Sequence, residues 1–166
     1  MRRLALVAFA FGLSGVAALV YQVSWQRILA FQSGVGIDSV AMIVAAFMAG
    51  LGLGAYAGGR MSARVSAARA LAIFAGIELA LGLFASVSCW FYYDLLYTRV
   101  AGAFGAGAAW LHFLTLLPPT ALMGMSLPFL VRASVGDPVT AARTIGTLYG
   151  INVLGAALGA LLTPWV

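Results

Sequence analysis

Residues 4–26, LALVAFAFGLSGVAALVYQVSWQ, form 23 consecutive positions between Arg3 and Arg27 that carry no charge. A bilayer core of roughly 30 Å takes about 20 apolar residues of helix, because in hydrocarbon each backbone N–H and C=O must be bonded within its own segment. The stretch is therefore long enough to span a membrane. The same charge silence recurs at 39–59, 100–131 and 144–166, and only Glu78 interrupts 70–93. Five such stretches in 166 residues leave little for a soluble domain.

Composition agrees. Hydrophobic residues make up 64% of the chain and charged residues 8%, with a mean hydropathy of +1.07. A water-exposed surface cannot be built from this mixture. The fold class expected is all-α: a polytopic transmembrane bundle of about five spans, near 4–31, 37–59, 70–91, 105–131 and 142–163, forming one domain. The apolar stretch beginning after Met1-Arg2-Arg3 and reaching Trp25 reads as a span rather than a cleaved signal peptide.

Nine basic residues face four acids, a balance that in a soluble chain would raise nucleic acid as a partner. Nucleic-acid binding needs cations clustered on one folded face, whereas these arginines punctuate apolar runs, so no nucleic-acid partner is expected. Their spacing carries topology instead. Arg2 and Arg3 precede the first span, Arg60, Arg64 and Arg69 lie between the second and third, and Arg132 and Arg143 flank the loop before the fifth. Only Arg27 and Arg99 fall on the other side. The positive-inside rule then places the N-terminus in the cytoplasm, in what is expected to be a bacterial inner membrane. The lone Cys89, inside the third run, reads as packing.

Local signals place the elements. The first helix is expected from Leu4 to about Phe31, ending at Gln32-Ser33-Gly34-Val35-Gly36, with Tyr21 and Trp25 near the outer interface, where amphipathic rings prefer to sit. Asp38 and Ser39 suit the start of the second helix, where unpaired N–H groups and the positive dipole end favour a carboxylate. The third is expected to end in an interfacial belt of Trp90, Tyr92, Tyr93 and Asp94. The stretch 100–131 exceeds one upright span and holds Pro118, Pro119 and Pro128. It reads either as one proline-kinked helix behind an Ala/Gly-rich lead-in (Ala101 to Ala109) or as two segments meeting at Pro118-Pro119. Two crossings would carry Arg132 and Arg143 outside, so the arginine distribution favours one. Gly136-Asp137-Pro138 supplies a helix stop, a cap and a proline for the first helical position of the fifth helix.

Two sets of glycines suggest close helix contact. Gly50, Gly54 and Gly58 recur at every fourth position and lay a smooth stripe along one face, which lets a second backbone approach closely enough for dispersion contacts to hold in lipid. Gly146, Gly150, Gly155 and Gly159 form a second small-residue face, Gly155 and Gly159 being its principal packing candidates.

Chemistry is sparse. One His, one Cys and four scattered acids supply neither a metal site nor a catalytic constellation, and glycine runs inside an apolar helix lack the strand context of a nucleotide loop. No cofactor is expected. Intramembrane polar residues are the better clue, because a carboxylate at mid-helix costs on the order of 2.5–3.5 kcal/mol on insertion scales. At about 1.5 Å per residue, Glu78 lies roughly 13 Å and Asn152 roughly 14 Å from the cytoplasmic ends. They share a level. His112 enters from the other side a few ångströms higher, and Gln22 and Gln26 lie nearer the outer surface. The candidate substrate-binding residues are thus Glu78, Asn152, Tyr149, His112, Gln22 and Gln26. For Glu78 two readings stand: a charge-binding or proton-titrating group, or a neutral acid bonded to Asn152 or to a backbone carbonyl.

Four segments considered together, SGVAALVYQVSWQRILAF (14–31), AAFMAGLGLGAYAGGRMSAR (45–64), LLPPTALMGMSLPFLVR (116–132) and GTLYGINVLGAALGALL (146–162), resemble the membrane-embedded N-terminal half of the spermidine synthase-like membrane proteins, a major-facilitator-like module fused to an aminopropyltransferase. The glycine-rich second helix running into Arg60 and Arg64 is also similar to the segment after the second helix of major-facilitator transporters, without the acidic residue usual there. The resemblance implies a half-transporter-like bundle handling polyamines or another small cation, within a longer chain. It also implies that any aminopropyltransferase activity belongs to a soluble domain that nothing in these residues matches, for which this chain would be the membrane anchor. A structural or assembly subunit, packing other chains against its glycine faces, is the competing reading. Because half-transporters bind at a repeat interface, other membrane helices or subunits, as homo- or hetero-oligomer, are expected partners beside the lipid bilayer.

Overall fold

The computed structural model describes residues 2–33, 37–101 and 108–165. Five long helices account for nearly all of them: α1 (Arg2–Ser33), α2 (Ile37–Ser62), α3 (Ala67–Trp90), α4 (Ala108–Ser134) and α5 (Pro138–Leu162). α3 continues directly into a π-helical segment, Phe91–Ala101, and α5 closes in a 3₁₀ turn, Thr163–Trp165. No strand occurs among the described residues. Each helix contains a segment long and apolar enough to cross a membrane: Ala5–Ile28, Val40–Ser62, Ala67–Leu96, Trp110–Ser134 and Val139–Trp165. The chain is an all-α bundle of a membrane protein. Its outward residues agree, since Leu6, Phe9 and Leu13 on α1, Leu79 and Leu83 on α3 and Leu154, Leu158 and Leu161 on α5 are all exposed. An apolar rim on this scale suits lipid and not water.

Helix ends follow local chemistry where side chains are described. Ser66 caps α3 by accepting the N–H of Arg69, and Asp137 caps α5 by accepting that of Val139, with Pro138 at the first helical turn. Each pairing satisfies a donor that a helix start leaves without an intrahelical partner. The Nε–H of Arg132 donates to the carbonyl of Val65 at 2.9 Å, so the α2–α3 and α4–α5 connections meet at one end. The expected turn at 34–36, the lead-in at 102–107 and the side chains of Asp38 and Ser39 lie outside the described residues.

α4 is the hub. It packs along α2 in the most extensive helix contact and along α3 in another, while α5 packs mainly on α1. Both glycine-bearing contacts are backbone-close. A Cβ on Gly50 would overlap the side chain of Thr120, one on Gly54 would run into the backbone of Ala121, and one on Gly58 would press on Met125. Gly124 of α4 meets the backbone of Leu51 in return. On the other pair, Gly155 and Gly159 of α5 meet the backbones of Gly12 and Val16 on α1. Gly146 and Gly150 face open space, so only half of the second small-residue face is used.

α4 is one continuous helix despite three prolines. Pro119 has no N–H to offer the carbonyl of Thr115 one turn earlier. Tyr92 supplies the missing donor: its hydroxyl reaches that oxygen at 3.3 Å. Hydroxyls of α4 itself add further bonds, from Thr120 to the carbonyls of Leu116 and Leu117 and from Thr115 to that of His112. Proline is tolerated in spanning helices when neighbours re-satisfy the backbone in this way. Tyr92→Phe is expected to cost about 1 kcal/mol of stability, read as a lower unfolding midpoint in detergent. A midpoint equal to wild type would mean that the tyrosine hydroxyl does nothing for α4.

The aromatic residues correct an expectation. Tyr92 is fully buried and Trp25 is 1% exposed, so both rings turn into the bundle and not outward toward head groups, whereas Trp90 and Tyr93 are exposed. Trp25 instead centres a cluster with Tyr21, Phe47, Phe84 and Tyr92, ring centroids 5.5–6.1 Å apart, and its Nε1–H donates to Ser88 Oγ at 3.0 Å. The reason is local. α3 carries on past Trp90 as the π-helical segment, which brings Tyr92 and Leu96 into the core where the sequence suggested a helix end. That cluster, with Ile43, Ala46 and Leu116, forms one apolar layer. A second layer, containing Phe11, Phe74, Ile77, Phe129 and Leu148, lies toward the other end.

Candidate functional site

Set into the second apolar layer, between Ile77 and Leu81 on α3, is a polar constellation built from three helices. α3 places Glu78 one residue beyond Ile77 of the second layer, and its Oε1 accepts two hydrogen bonds. One comes from Ser14 Oγ on α1 and the other from Ser126 Oγ on α4, each at 3.0 Å. A carboxyl group at this depth is held only where the bundle supplies polar partners, because lipid supplies none. Both partners here are neutral hydroxyls, and Ser126 is itself buried. Its hydroxyl also lies 3.5 Å from the carbonyl of Leu122.

Asn152 sits on α5 against the same stretch of α1. Its Nδ2 donates to the carbonyl of Phe11 at 2.9 Å, and a Cβ on Gly15 would collide with it. Gly15 therefore clears the room in which the asparagine lies beside α1. Phe11 and Ser14 are three residues apart, about 4.5 Å along the helix axis, so Glu78 and Asn152 do share a level. They are not each other's partners: the carboxyl is held by the serines, and the amide by the α1 backbone.

Two cavities adjoin at this level. A small one of about 80 Å³ is bordered by Glu78, Ser14, Tyr21, Gly82 and Met123. A larger one of about 310 Å³ lies among α1, α2, α4 and α5, and its polar lining residues are Ser14, Gln22, Tyr149 and Asn152. Ser14, Ala18 and Met123 line both. A mostly apolar cavity with a few convergent polar groups is the usual form of a small-molecule site.

Of the six candidate site residues, Glu78, Asn152, Tyr149 and Gln22 are brought to these two cavities and two are not. Gln26 lies one turn further along α1, beyond the lining. His112 is buried on α4, 14 residues (126 − 112) from Ser126 and hence about 21 Å along the axis. That histidine belongs to the far half of the bundle. Ser14 and Ser126 were not among the candidates. Serine is common in spanning helices as glue or as a self-bonded residue, and the one available signal was depth: counted at about 1.5 Å per residue from Arg3 and Arg132, Ser14 lies roughly 16 Å and Ser126 roughly 9 Å in, on either side of the value for Glu78. Met123 carried no polar signal at all.

Among the described residues no group of three or more His, Cys, Asp and Glu could hold a metal ion. Comparison with known protein families, with curated proteins and with solved structures found no match to this chain.

Proposed function

We propose that this membrane protein is a transporter-like module that engages a small cation at Glu78. The observation that carries the reading is the setting of that carboxyl group: mid-depth, fixed by serines from two other helices, and beside a cavity that adjoins a second one bearing Gln22, Tyr149 and Asn152. A group kept in the membrane at such cost is a functional residue by default. The likeness to spermidine synthase-like membrane proteins supports a polyamine as one candidate cation. The reading of the glycine faces as docking surfaces for other subunits has less support, because Gly50, Gly54, Gly58, Gly155 and Gly159 meet helices of this same chain.

Substitution at one position separates a cation site from a structural bond. Glu78→Gln keeps shape and an accepting oxygen but cannot carry charge, so stability is expected to stay close to wild type while amine binding by the purified protein falls at least tenfold. Glu78→Leu removes the acceptor as well and is expected to cost about 1–2 kcal/mol, the worth of two interhelical hydrogen bonds. Amine binding that survives Glu78→Gln would overturn the proposal.

The seven-to-two division of the arginines supports a cytoplasmic N-terminus, with the α2–α3 and α4–α5 connections on the same side. Single cysteines at Ser66 and Asp137, in a Cys89→Ala background, are expected to resist an impermeant thiol reagent added to intact cells and to react after lysis. Labelling of either in intact cells would reverse or break this topology.

A further inference from the structure

The site admits a narrower description of its ligand, which rests on the cation reading above. Four acids are present in the chain. Asp137 caps α5 in the connection, Asp94 is exposed in the first turn of the α3 extension, and Asp38 lies at the start of α2. Among the described side chains Glu78 is therefore the one carboxyl group that lines either cavity. Its annex of about 80 Å³ has room for a head group and little more. The adjoining cavity of about 310 Å³ offers walls of Phe11, Leu19, Phe47, Leu51, Leu127 and Val153. Its polar groups, on Ser14, Gln22, Tyr149 and Asn152, are hydroxyls and amides, with no carboxyl group among them. Asn152 uses one N–H of Nδ2 on the Phe11 carbonyl and keeps its second N–H and its amide oxygen, the latter able to accept from an ammonium.

We infer that the ligand is an organic amine carrying a single positive charge and an apolar body, its ammonium at Glu78 and its body in the α1–α2–α4–α5 cavity. A single carboxylate can balance a single charge. A second ammonium carried into the larger cavity would meet apolar walls and only neutral dipoles, and a charge left uncompensated there is disfavoured. A neutral molecule of the same shape would fill the cavity and leave Glu78 without a counter-charge. The geometry thus narrows the cation reading, selecting against the polyamines that the resemblance raised and against neutral isosteres alike, and Met123, with Ser14 and Ala18, stands where the head group passes into the body. A flexible thioether is suited to that position because it can repack around a chain.

The test uses the full chain purified in detergent and three probes measured by calorimetric titration: 2-phenylethylamine, its neutral isostere 2-phenylethanol, and the dication 1,4-diaminobutane. 2-Phenylethylamine is expected to bind at least tenfold more tightly than either of the others, a difference of about 1.4 kcal/mol. Its binding is expected to be lost in Glu78→Gln and in Ala156→Phe, which fills the larger cavity away from the carboxyl group; methylammonium, small enough for the annex, should bind wild type and Ala156→Phe alike. The probe comparison on the unaltered protein needs no variant to fold. Glu78-dependent binding of 1,4-diaminobutane as tight as that of 2-phenylethylamine would overturn the single-charge inference and leave the cation site standing. Equal binding of amine and alcohol, or amine binding indifferent to Glu78→Gln, would remove both.

Discussion

Gly54→Leu is expected to destabilise the bundle by about 3 kcal/mol or more, the upper range for forcing bulk into a packed interior. The obstacle at this position is the backbone of Ala121, including its carbonyl, which no rotamer change can move aside. α2 and α4 would have to separate, and theirs is the most extensive contact in the fold. A control lies two residues away. Gly52 is on the same helix and a Cβ there meets nothing within 4 Å, so Gly52→Leu should stay within about 0.5 kcal/mol of wild type. Unfolding midpoints of the pair in detergent decide the matter; equal midpoints would mean that α2 does not lie against α4 as described.

Trp25→Ala has a comparably large expected effect, about 3–5 kcal/mol, as for other fully buried tryptophans. Four rings from four segments surround the indole, and its N–H meets Ser88. Truncation would open a cavity where α1, α2 and the α3 extension converge, and would take from Ser88 its indole donor. Trp25→Phe should cost distinctly less, since most of the ring contacts survive and Ser88 also bonds the carbonyl of Ala85. An interfacial tryptophan would behave differently, with both variants near wild type. The chemical-denaturation curves of the two variants therefore also test where the ring lies.

The difference between an interfacial and a buried Trp25 shows what could be read in this chain and what could not. Spans are a one-dimensional property: hydrocarbon thickness and the rise per residue fix their number and rough limits. Depth follows from the same ruler, which is how Glu78 and Asn152 came out level. Azimuth does not follow. In a soluble helix one face is polar and the period betrays it, but here lipid-facing and core-facing residues are both apolar, and nothing in the alternation says which way Trp25, Tyr92 or His112 turns. Glycine is a partial exception, since it marks where a second backbone comes close, as at Gly50, Gly54 and Gly58. Even so, Gly146 and Gly150 keep the fourfold spacing and face open space. Partner identity was hidden for a further reason. Which hydroxyl satisfies a given carboxyl group depends on which helices are neighbours, so Ser14 and Ser126 emerged only once α1, α3 and α4 were placed together.

The pairing of α1 with α5 and of α2 with α4 bears on how such a chain assembles as it is made. In both pairs residue numbers rise together, Gly12 to Val16 against Gly155 to Gly159 and Gly50 to Gly58 against Thr120 to Met125, so each is a parallel pair of helices far apart in sequence. Neighbours in the chain make poorer partners, with α1 and α2 touching only modestly. A chain entering the bilayer from its N-terminus would hold three helices with little to bind them until α4 arrives to bridge α2 and α3, and α5, the main partner of α1, would follow only after that. During that interval the carbonyl of Phe11 lacks the Asn152 donor, and Glu78 lacks the hydroxyl of Ser126. Exposed polar groups and unfilled small-residue faces are what make an incomplete membrane chain prone to wrong partners. The residues that make the mature site are thus those whose bonding is incomplete for longest during synthesis.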